Sequence, residues 1–182
     1  MLALLLSLTL GNSCPVGANH EYVAFLKAKI IAPTRDSSKL REHAVLVLRY
    51  SMERDLDPDL VMSVITVESA WDPRARSSAD AVGLMQVMPF WTDRLDYGKN
   101  LRDPETNIRY GTYILRFYLD MYNNNYVDAL SAYNRGPYLV NKDKKQGKRG
   151  SMFSERVLRV FNKLKRLNSF AGTSVAVSGL DA

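Results

Sequence analysis

The stretch of sequence that decides the fold is DPDLVMSVITVESAWDP, residues 57–73. It opens with a strong helix-start signal, because the Asp57 side chain can cap free backbone N–H groups and proline suits the first helical position, where no N–H is needed. The residues that follow, 58–70, are apolar on almost every side of a helix. Such a helix is expected to lie at the centre of a folded domain, buried by its neighbours.

Glu68 interrupts this apolar run near its end. A carboxylate in such surroundings is costly unless it is paired, hydrogen-bonded or facing a cleft. Apolar surroundings also raise the pKa of a carboxyl group, which makes a general acid usable near neutral pH. Two interpretations therefore stand side by side: a structural glutamate, capped by the backbone or paired with an arginine such as Arg74, or a functional one.

The rest of the chain continues in helical patterns. Residues 71–88, which contain Pro73 and Gly83, are predicted to form a loop. No alternating strand pattern and no internal repeat is found in the sequence, so it predicts an all-α fold, or nearly so. The predicted helices cover residues 20–31, 39–54 with a cap at Ser37 or Ser38, 58–70, 89–95, 104–122, 126–134 and 151–167.

Length and composition suit one globular domain: 182 residues, of which 46% are hydrophobic and 24% charged. The net charge of +6 favours an anionic partner (nucleic acid, a membrane face or an acidic polymer) or serves solubility alone. Residues 142–150, KDKKQGKRG, are predicted to be a basic loop that is either simply solvated or attracted to an anionic polymer. No recognised nucleic-acid module surrounds this loop, so nucleic acid is not an expected partner.

Cysteine, histidine and glycine usage gives no support to a metal or a nucleotide. Cys14 is the only cysteine, and His20 and His43 lie far apart, so no metal-ligand cluster is predicted. Neither a G-x-x-x-x-G-K-[ST] loop nor a G-x-G-x-x-G loop occurs. The sequence therefore predicts no cofactor.

The first ten residues, MLALLLSLTL, are too short to span a bilayer and fit the apolar region of a secretory signal peptide. This predicts an exported protein, periplasmic or associated with the cell wall. The predicted boundaries are a signal peptide at 1–18, a folded domain at 19–167 and a disordered tail at 168–182. Membrane attachment as an outer-membrane lipoprotein would require a lipid on Cys14, which the preceding residues fit poorly.

Three short motifs occur in order along the chain: ESAWDP at 68–73, GLMQVMP at 83–89 and AYNRGP at 132–137. Together, at this spacing, they resemble the soluble lytic transglycosylase (SLT) family. Asn107, Ile108 and Gly111 fit the same pattern, and the resemblance covers roughly residues 50–165. It implies a catalytic domain with a lysozyme-like helical fold.

The resemblance also implies a reaction. Members of that family cut the bond between N-acetylmuramic acid and N-acetylglucosamine in peptidoglycan without adding water, and leave a 1,6-anhydromuramic acid end. One glutamate acts first as acid and then as base, and Glu68 matches it. The sequence contains no docking module that would decide between general wall turnover and service to a secretion, conjugation or phage apparatus.

Further residues are matched to the family's glycan groove. Gly83 would let a backbone approach closely. The alternative for Met85 is core packing, and the alternative for Tyr133 is packing against the catalytic helix. The residues to which the resemblance assigns substrate contact are Ser69, Gly83, Met85, Gln86, Tyr133 and Asn134.

Phe153 departs from the family, which often has a tyrosine near the catalytic glutamate at this place. Either another tyrosine, with Tyr138 nearest in sequence, supplies that hydrogen bond, or desolvation is the main influence on the glutamate. Asp72 and Asp80 compete for the role of a second carboxylate, and either one would make the enzyme a hydrolysing lysozyme. The alternative from another class is a non-catalytic peptidoglycan-binding module.

Overall fold

The computed structural model describes residues 16–176, and the side chains of residues 20–167. Within that range no strand forms; two isolated β-bridges join Arg76 with Val82 and Val82 with Val87. The predicted all-α fold class is therefore confirmed. Seven α-helices and one short 3-10 helix make up the described residues: α1 Val16–Ile31, α2 Ser37–Glu53, α3 Pro58–Ser69, the 3-10 helix Pro89–Asp93, α4 Pro104–Met121, α5 Tyr126–Arg135, α6 Pro137–Lys145 and α7 Met152–Ala176.

Side-chain caps start the central helices. The Asp57 carboxylate accepts a hydrogen bond from the Asp59 N–H, and Asp103 accepts one from the Thr106 N–H. Both helices begin with proline at the next position, as predicted. The cap of α2 was predicted wrongly: Asp36, and not Ser37 or Ser38, accepts hydrogen bonds from the first free N–H groups, because its ionised carboxylate is the stronger acceptor.

Residues 142–145 are helical, which corrects the predicted basic loop 142–150. Gly136 ends α5, and Pro137 directly begins α6, which runs to Lys145. A helix is favourable here because Lys142, Lys144 and Lys145 lie in its last turn, where cations interact well with the helix dipole. Residues 146–150 remain outside the helices.

Helices extend past the predicted domain boundaries at both ends. Helix α7 continues to Ala176, so residues 168–176 are helical where a disordered tail was predicted, and no proline in this stretch stops the helix. Helix α1 begins at Val16, within the predicted signal peptide 1–18. Residues 1–15 and 177–182 lie outside the described residues, so the export prediction stays a prediction.

Helix α3 lies in the middle of the bundle, packed against α2 and α7. Its side chains from Leu60 to Ile65 are almost completely removed from solvent. Two ion pairs fix its first turn: Lys27 of α1 contacts Asp59 at 2.6 Å, and Lys165 of α7 contacts Asp57 at 2.8 Å. None of the helices in the described range is long and apolar enough to cross a membrane.

Candidate active site

Glu68 lies in the last turn of α3, where the helix leaves the core. The chain turns sharply after it, because Ala70 and Trp71 both adopt positive φ angles, +48° and +65°. Positive φ is rare for a bulky aromatic residue and marks local strain. The buried Trp71 ring folds back and donates a hydrogen bond from Nε1 to Thr66 Oγ1 at 3.0 Å, which fixes the end of the helix that carries Glu68.

Burial raises the pKa of the Glu68 carboxyl group to about 8, and the positive charge of Arg156 on α7 partly opposes this increase. No ion pair or hydrogen bond to the carboxylate is found among the described residues. Arg74 in particular does not pair with Glu68, so the structural interpretation with that partner is not supported. At pH 7 a carboxyl group with this pKa is protonated by roughly ten to one.

The segment 82–87, which we call the motif loop, faces the end of α3 and is closed on itself. The Val82 N–H donates to the Val87 carbonyl at 3.0 Å, and the Val87 N–H donates back at 2.9 Å. Asn107 of α4 is hydrogen-bonded to the loop: its Oδ1 accepts from the Met85 N–H at 2.7 Å. Its Nδ2 donates to the carbonyls of Val82 and Leu101 at 2.8 Å each.

Ser69 and Gly83 connect the motif loop to its surroundings. The Ser69 hydroxyl donates to the Leu84 carbonyl at 2.8 Å, so it ties α3 to the loop. A Cβ atom on Gly83 would lie 2.5 Å from the Leu101 carbonyl oxygen and would collide with Asn107 Nδ2, and the φ angle here is +82°. Glycine is therefore needed for close packing inside the protein; the predicted approach of substrate to its backbone is not tested.

Gln86 lies at the turn of the motif loop with φ of +49°. Its side-chain Nε2 donates to the carbonyls of Gly83 at 3.0 Å and Ala75 at 3.2 Å. Both amide donors are thus used to hold the loop against the preceding segment. The amide oxygen of Gln86 has no hydrogen bond among the described residues, and it remains as an acceptor on a half-buried side chain.

Met85 is fully buried, in agreement with the core-packing alternative for its side chain. It lies against Gly111 of α4, where a Cβ atom would come 2.5 Å from the Met85 Cβ. Its backbone carbonyl accepts a hydrogen bond from the Tyr133 hydroxyl at 2.8 Å. The family pattern at Gly111 thus has a physical reason: it makes room for the methionine of the motif loop.

Tyr133 is a tyrosine whose pKa responds to the charge of Glu68. Burial raises its pKa well above the ordinary value, and the negative charge of Glu68 adds to the increase. Phe153 stacks on it in parallel, with ring centroids 6.5 Å apart. Tyr138, suggested as a substitute hydroxyl, is 76% exposed. Of the two alternatives for the missing family tyrosine, desolvation of Glu68 is therefore the one that the structure supports.

The remaining candidates lie at the surface. Asn134 is exposed at the end of α5, and its side chain has no hydrogen bond within the described range. Asp72 pairs with Arg35 at 3.9 Å, and Asp80 pairs with Arg76 at 2.9 Å. Neither aspartate contributes to the pKa shift of Glu68, which a carboxylate beside it would increase further. Residues 16–176 also contain no group of three side chains suited to hold a metal ion.

Two residues of this region were not assigned a role from the sequence. Asn107 is a buried amide in an otherwise apolar stripe of α4. A polar side chain on a buried helix face needs hydrogen-bond partners, and this was the sequence signal that could have revealed its contacts. Arg156 is exposed and carries no sequence signal of its own. Only the packing of α7 against α3 brings its charge towards Glu68.

The arrangement of helices around the central helix that carries Glu68 is that of the helical lytic transglycosylase class of fold. Residues 46–153 match the Transglycosylase SLT domain, which is more than half of the chain. The chain belongs to this family, and the resemblance seen in the three motifs is confirmed.

Known relatives agree with this assignment. The soluble lytic murein transglycosylase of Salmonella typhimurium is 37% identical over 101 residues, and the match covers 50% of this chain and 16% of that protein. The transglycosylase of Enterobacteria phage PRD1 is 41% identical over 91 residues, covering 50% of this chain and 34% of the phage protein. The chain therefore spans only a part of the length of these relatives.

A solved structure has a similar fold. It is an inactive glutamate-to-glutamine mutant of the lytic transglycosylase Slt from Pseudomonas aeruginosa. The TM-score is 0.62 and the sequence identity 26%, and the match covers 69% of this chain and 24% of the other.

Proposed function

We propose that this chain is a peptidoglycan lytic transglycosylase in which Glu68 is the single general acid and base. The observation that carries the proposal is the state of Glu68: a carboxyl group with a pKa of about 8, raised by burial, at the surface end of the central helix. A general acid works best when its pKa lies near the working pH, and desolvation is the usual way to raise a glutamate into that range.

The proposed reaction has two proton transfers through one carboxyl group. Protonated Glu68 donates its proton to the glycosidic oxygen as the bond from that oxygen to the muramyl anomeric carbon breaks. The ionised carboxylate then accepts the proton of the muramyl 6-hydroxyl, whose oxygen bonds to the same carbon and closes the 1,6-anhydro ring. Glu68 ends protonated, as it began, and no water is consumed.

The absence of a second perturbing carboxylate favours this route over hydrolysis. The usual glycosidase places two carboxyl groups on either side of the scissile bond. In the described part of the chain, Asp72 and Asp80 are engaged by arginines and do not affect the pKa of Glu68. A substrate-assisted reaction, in which the N-acetyl group of the sugar stabilises the positive charge, needs only one carboxyl group of the enzyme.

The residues around Glu68 then divide into two groups. Ser69, Gly83 and Met85 hold the motif loop in place through the contacts described above, and act on substrate through that loop. Gln86 and Asn134 retain free hydrogen-bonding groups at half-buried and exposed positions. We propose that these two amides contact the acetamido and hydroxyl groups of the glycan.

The deciding experiment is digestion of purified peptidoglycan, followed by mass spectrometry of the soluble products. Wild-type protein is compared with Glu68→Gln and with Glu155→Gln, which makes the same change at an exposed position of α7. Products with 1,6-anhydromuramic acid ends from wild type and Glu155→Gln, and none from Glu68→Gln, are expected. Circular dichroism of all three proteins establishes that each is folded.

Other outcomes would contradict the proposal in different ways. Products with free reducing ends that depend on Glu68 would make the protein a hydrolysing lysozyme and direct attention to Asp72 and Asp80. Binding of peptidoglycan by folded protein without any product would instead make it a wall-binding module.

Cleavage of peptidoglycan also requires a location outside the cytoplasm. We propose export through the apolar N-terminal segment, with a mature chain that begins near Asn19. N-terminal sequencing of material recovered outside the cytoplasm tests this directly, and an intact Met1 there would contradict it. The phage relative fits a role in opening the wall for an apparatus as well as a role in general turnover.

A further inference from the structure

One pocket of the described structure is lined neither by Glu68 nor by the residues matched to the glycan groove. It is a pocket of about 430 Å³ between the start of α2, the segment after α3 and the start of α4. Pockets that bind small ligands span roughly 300–1,000 Å³. We call it the basic pocket; it is lined by Lys39, Glu42, His43, Pro73, Arg74, Arg102 and Pro104.

The basic pocket carries more positive than negative charge, because three cations and one carboxylate, Glu42, line it. Lys39, Arg74 and Arg102 are exposed cations, and no ion pair to any of them is found among the described residues. Many other cations of this chain are paired, for example Lys27 with Asp59 and Arg135 with Asp143. Three positive charges around one concave site create a local attraction for an anion.

His43 gives the pocket a buried polar floor. The residue is only 4% exposed, yet neither ring nitrogen has a hydrogen-bond partner within the described range. The ring nitrogens are not among the fully buried polar atoms that lack a partner, so they reach solvent through the pocket that the ring lines. A ligand in the pocket can therefore form a hydrogen bond with the ring.

Glu42 distinguishes among anions. Its carboxylate lines the same pocket and also has no ion pair in the described part of the chain. A phosphate ion has no positive group for this carboxylate, and its own negative charge is repelled by it. A ligand with both a carboxylate and an N–H or ammonium group matches cations and Glu42 together, and a short peptide with a free carboxyl end has this combination.

We propose that the basic pocket binds a short, carboxylate-bearing peptide group. The peptide carboxylate lies against Lys39, Arg74 and Arg102, its N–H or ammonium group contacts Glu42, and the His43 ring N–H donates to the ligand. Peptide stems attached to the glycan strands are the natural source of such a group; that source rests on the proposed function, whereas the pocket does not. The pocket shares no lining residue with the candidate active site.

Histidine resonances provide a direct probe, since the chain contains only two, His20 and His43. The imidazole signals are followed by NMR during titration with D-alanyl-D-alanine, with its C-terminal amide and with inorganic phosphate. The His43 signal, assigned by its loss in His43→Leu, is expected to move with the dipeptide acid at a Kd of about 1 mM. The amide is expected to bind at least about tenfold more weakly, because the charge that the cations attract is gone.

Substituted variants distinguish specific binding of the peptide from a general attraction of anions to the basic pocket. Lys39→Gln/Arg102→Gln is expected to weaken dipeptide binding at least about tenfold. Glu42→Gln is expected to weaken the dipeptide but not phosphate. The matched control Arg41→Gln/Arg159→Gln removes two exposed cations outside the pocket and leaves dipeptide binding unchanged.

Three results would overturn the proposal: a His43 signal that no peptide moves, equal binding of the acid and the amide, or binding of phosphate that matches the dipeptide in both wild type and Glu42→Gln. The titration uses peptides without sugar and requires no turnover. A negative titration therefore does not contradict the proposed glycan cleavage, and a lack of cleavage does not contradict the peptide site.

Discussion

The Tyr133 hydroxyl donates a hydrogen bond to the backbone carbonyl of Met85, 2.8 Å away and 48 residues earlier in the chain. This bond ties α5 to the motif loop beside Glu68. Tyr133→Phe removes only the hydroxyl and is expected to lower the free energy of unfolding by about 1 kcal/mol. A loop that shifts by a fraction of an ångström also misplaces the substrate, so kcat/KM for peptidoglycan should fall by about ten- to a hundredfold.

Tyr138→Phe is the matched control, because Tyr138 is 76% exposed and has no such contact. Urea unfolding and product release from peptidoglycan are measured for both variants. Equal effects of the two substitutions would show that the bond to Met85 does not position the loop.

The proton on Glu68 should set the alkaline limit of activity. Because the acid form is required, kcat/KM is expected to fall about tenfold per pH unit above the pKa of about 8. Arg156 lowers this pKa, so Arg156→Gln should move the limit to higher pH. The pH profile of Arg159→Gln, a change on the same helix, serves as reference; an unmoved limit in Arg156→Gln would contradict the role of that charge.

Stability should depend on pH through the same group. The pKa of Glu68 in the folded protein is raised above its ordinary value, so the folded state is favoured while Glu68 is protonated and loses stability as pH rises from about 4.5 to about 8. The loss is on the order of 4 kcal/mol. Glu68→Gln abolishes it, and this variant should be the more stable protein at pH 9.

Urea unfolding of wild type, Glu68→Gln and Glu155→Gln at pH 5, 7 and 9 measures the effect. The difference between Glu68→Gln and wild type should grow with pH, whereas Glu155→Gln should follow wild type throughout. If the difference in free energy of unfolding stays constant across the three pH values, Glu68 does not have a buried carboxyl group with a raised pKa.

Alanine substitutions at Gly83 and Gly147 distinguish the cost of steric crowding from the cost of a positive φ angle. Both have positive φ, +82° and +74°, but a Cβ atom would collide with Asn107 at Gly83 and would meet nothing within 4 Å at Gly147. Gly147→Ala should cost about 1–2 kcal/mol of strain. Gly83→Ala should cost at least about 2 kcal/mol more, because it also displaces Asn107 from the motif loop. Thermal unfolding compares the two; similar losses would mean that the loop yields easily.

The basic surface formed by Lys145, Lys148 and Arg149, at and after the end of α6, should contribute to wall binding through charge. Lys144 must be left intact, because it pairs at 2.7 Å with the buried Asp128. Replacing the exposed Lys145, Lys148 and Arg149 with glutamine is expected to weaken sedimentation with wall sacculi at low salt and to have little effect at high salt. A variant with Arg41, Arg159 and Lys163 replaced removes the same charge elsewhere. Equal sedimentation of the two variants would exclude a specific role for this surface.

The central helices were predictable because their signals are local. Asp57 with Pro58, and Asp103 with Pro104, place a cap and a compatible proline side by side, and the structure starts α3 and α4 there. Helix α6 was missed because its local signals are ambiguous. Gly136 and Pro137 indicate the end of a helix, and they are also the start of the next one. Lysine-rich sequence was then interpreted as loop, although cations suit the end of a helix.

The sequence predicts which residues form the candidate site, and that membership stays a prediction; their contacts could not be predicted. The motifs identified Glu68, Ser69 and Gly83, yet nothing in the sequence indicates that the Ser69 hydroxyl is used on the Leu84 carbonyl, or that Gly83 is crowded by Asn107. Such contacts join residues far apart along the chain. They depend on how α3, α4 and α5 pack, which local patterns do not determine.

The closed motif loop has a consequence for how this protein fluctuates. The amide protons of Val82, Met85 and Val87 are all held inside the protein, on Val87, Asn107 and Val82 respectively. Exchange of such protons with solvent requires a larger opening of the structure, as it does for amides in the middle of a helix. These amides, in a segment with no regular secondary structure, are therefore expected to exchange more slowly than those of an open loop.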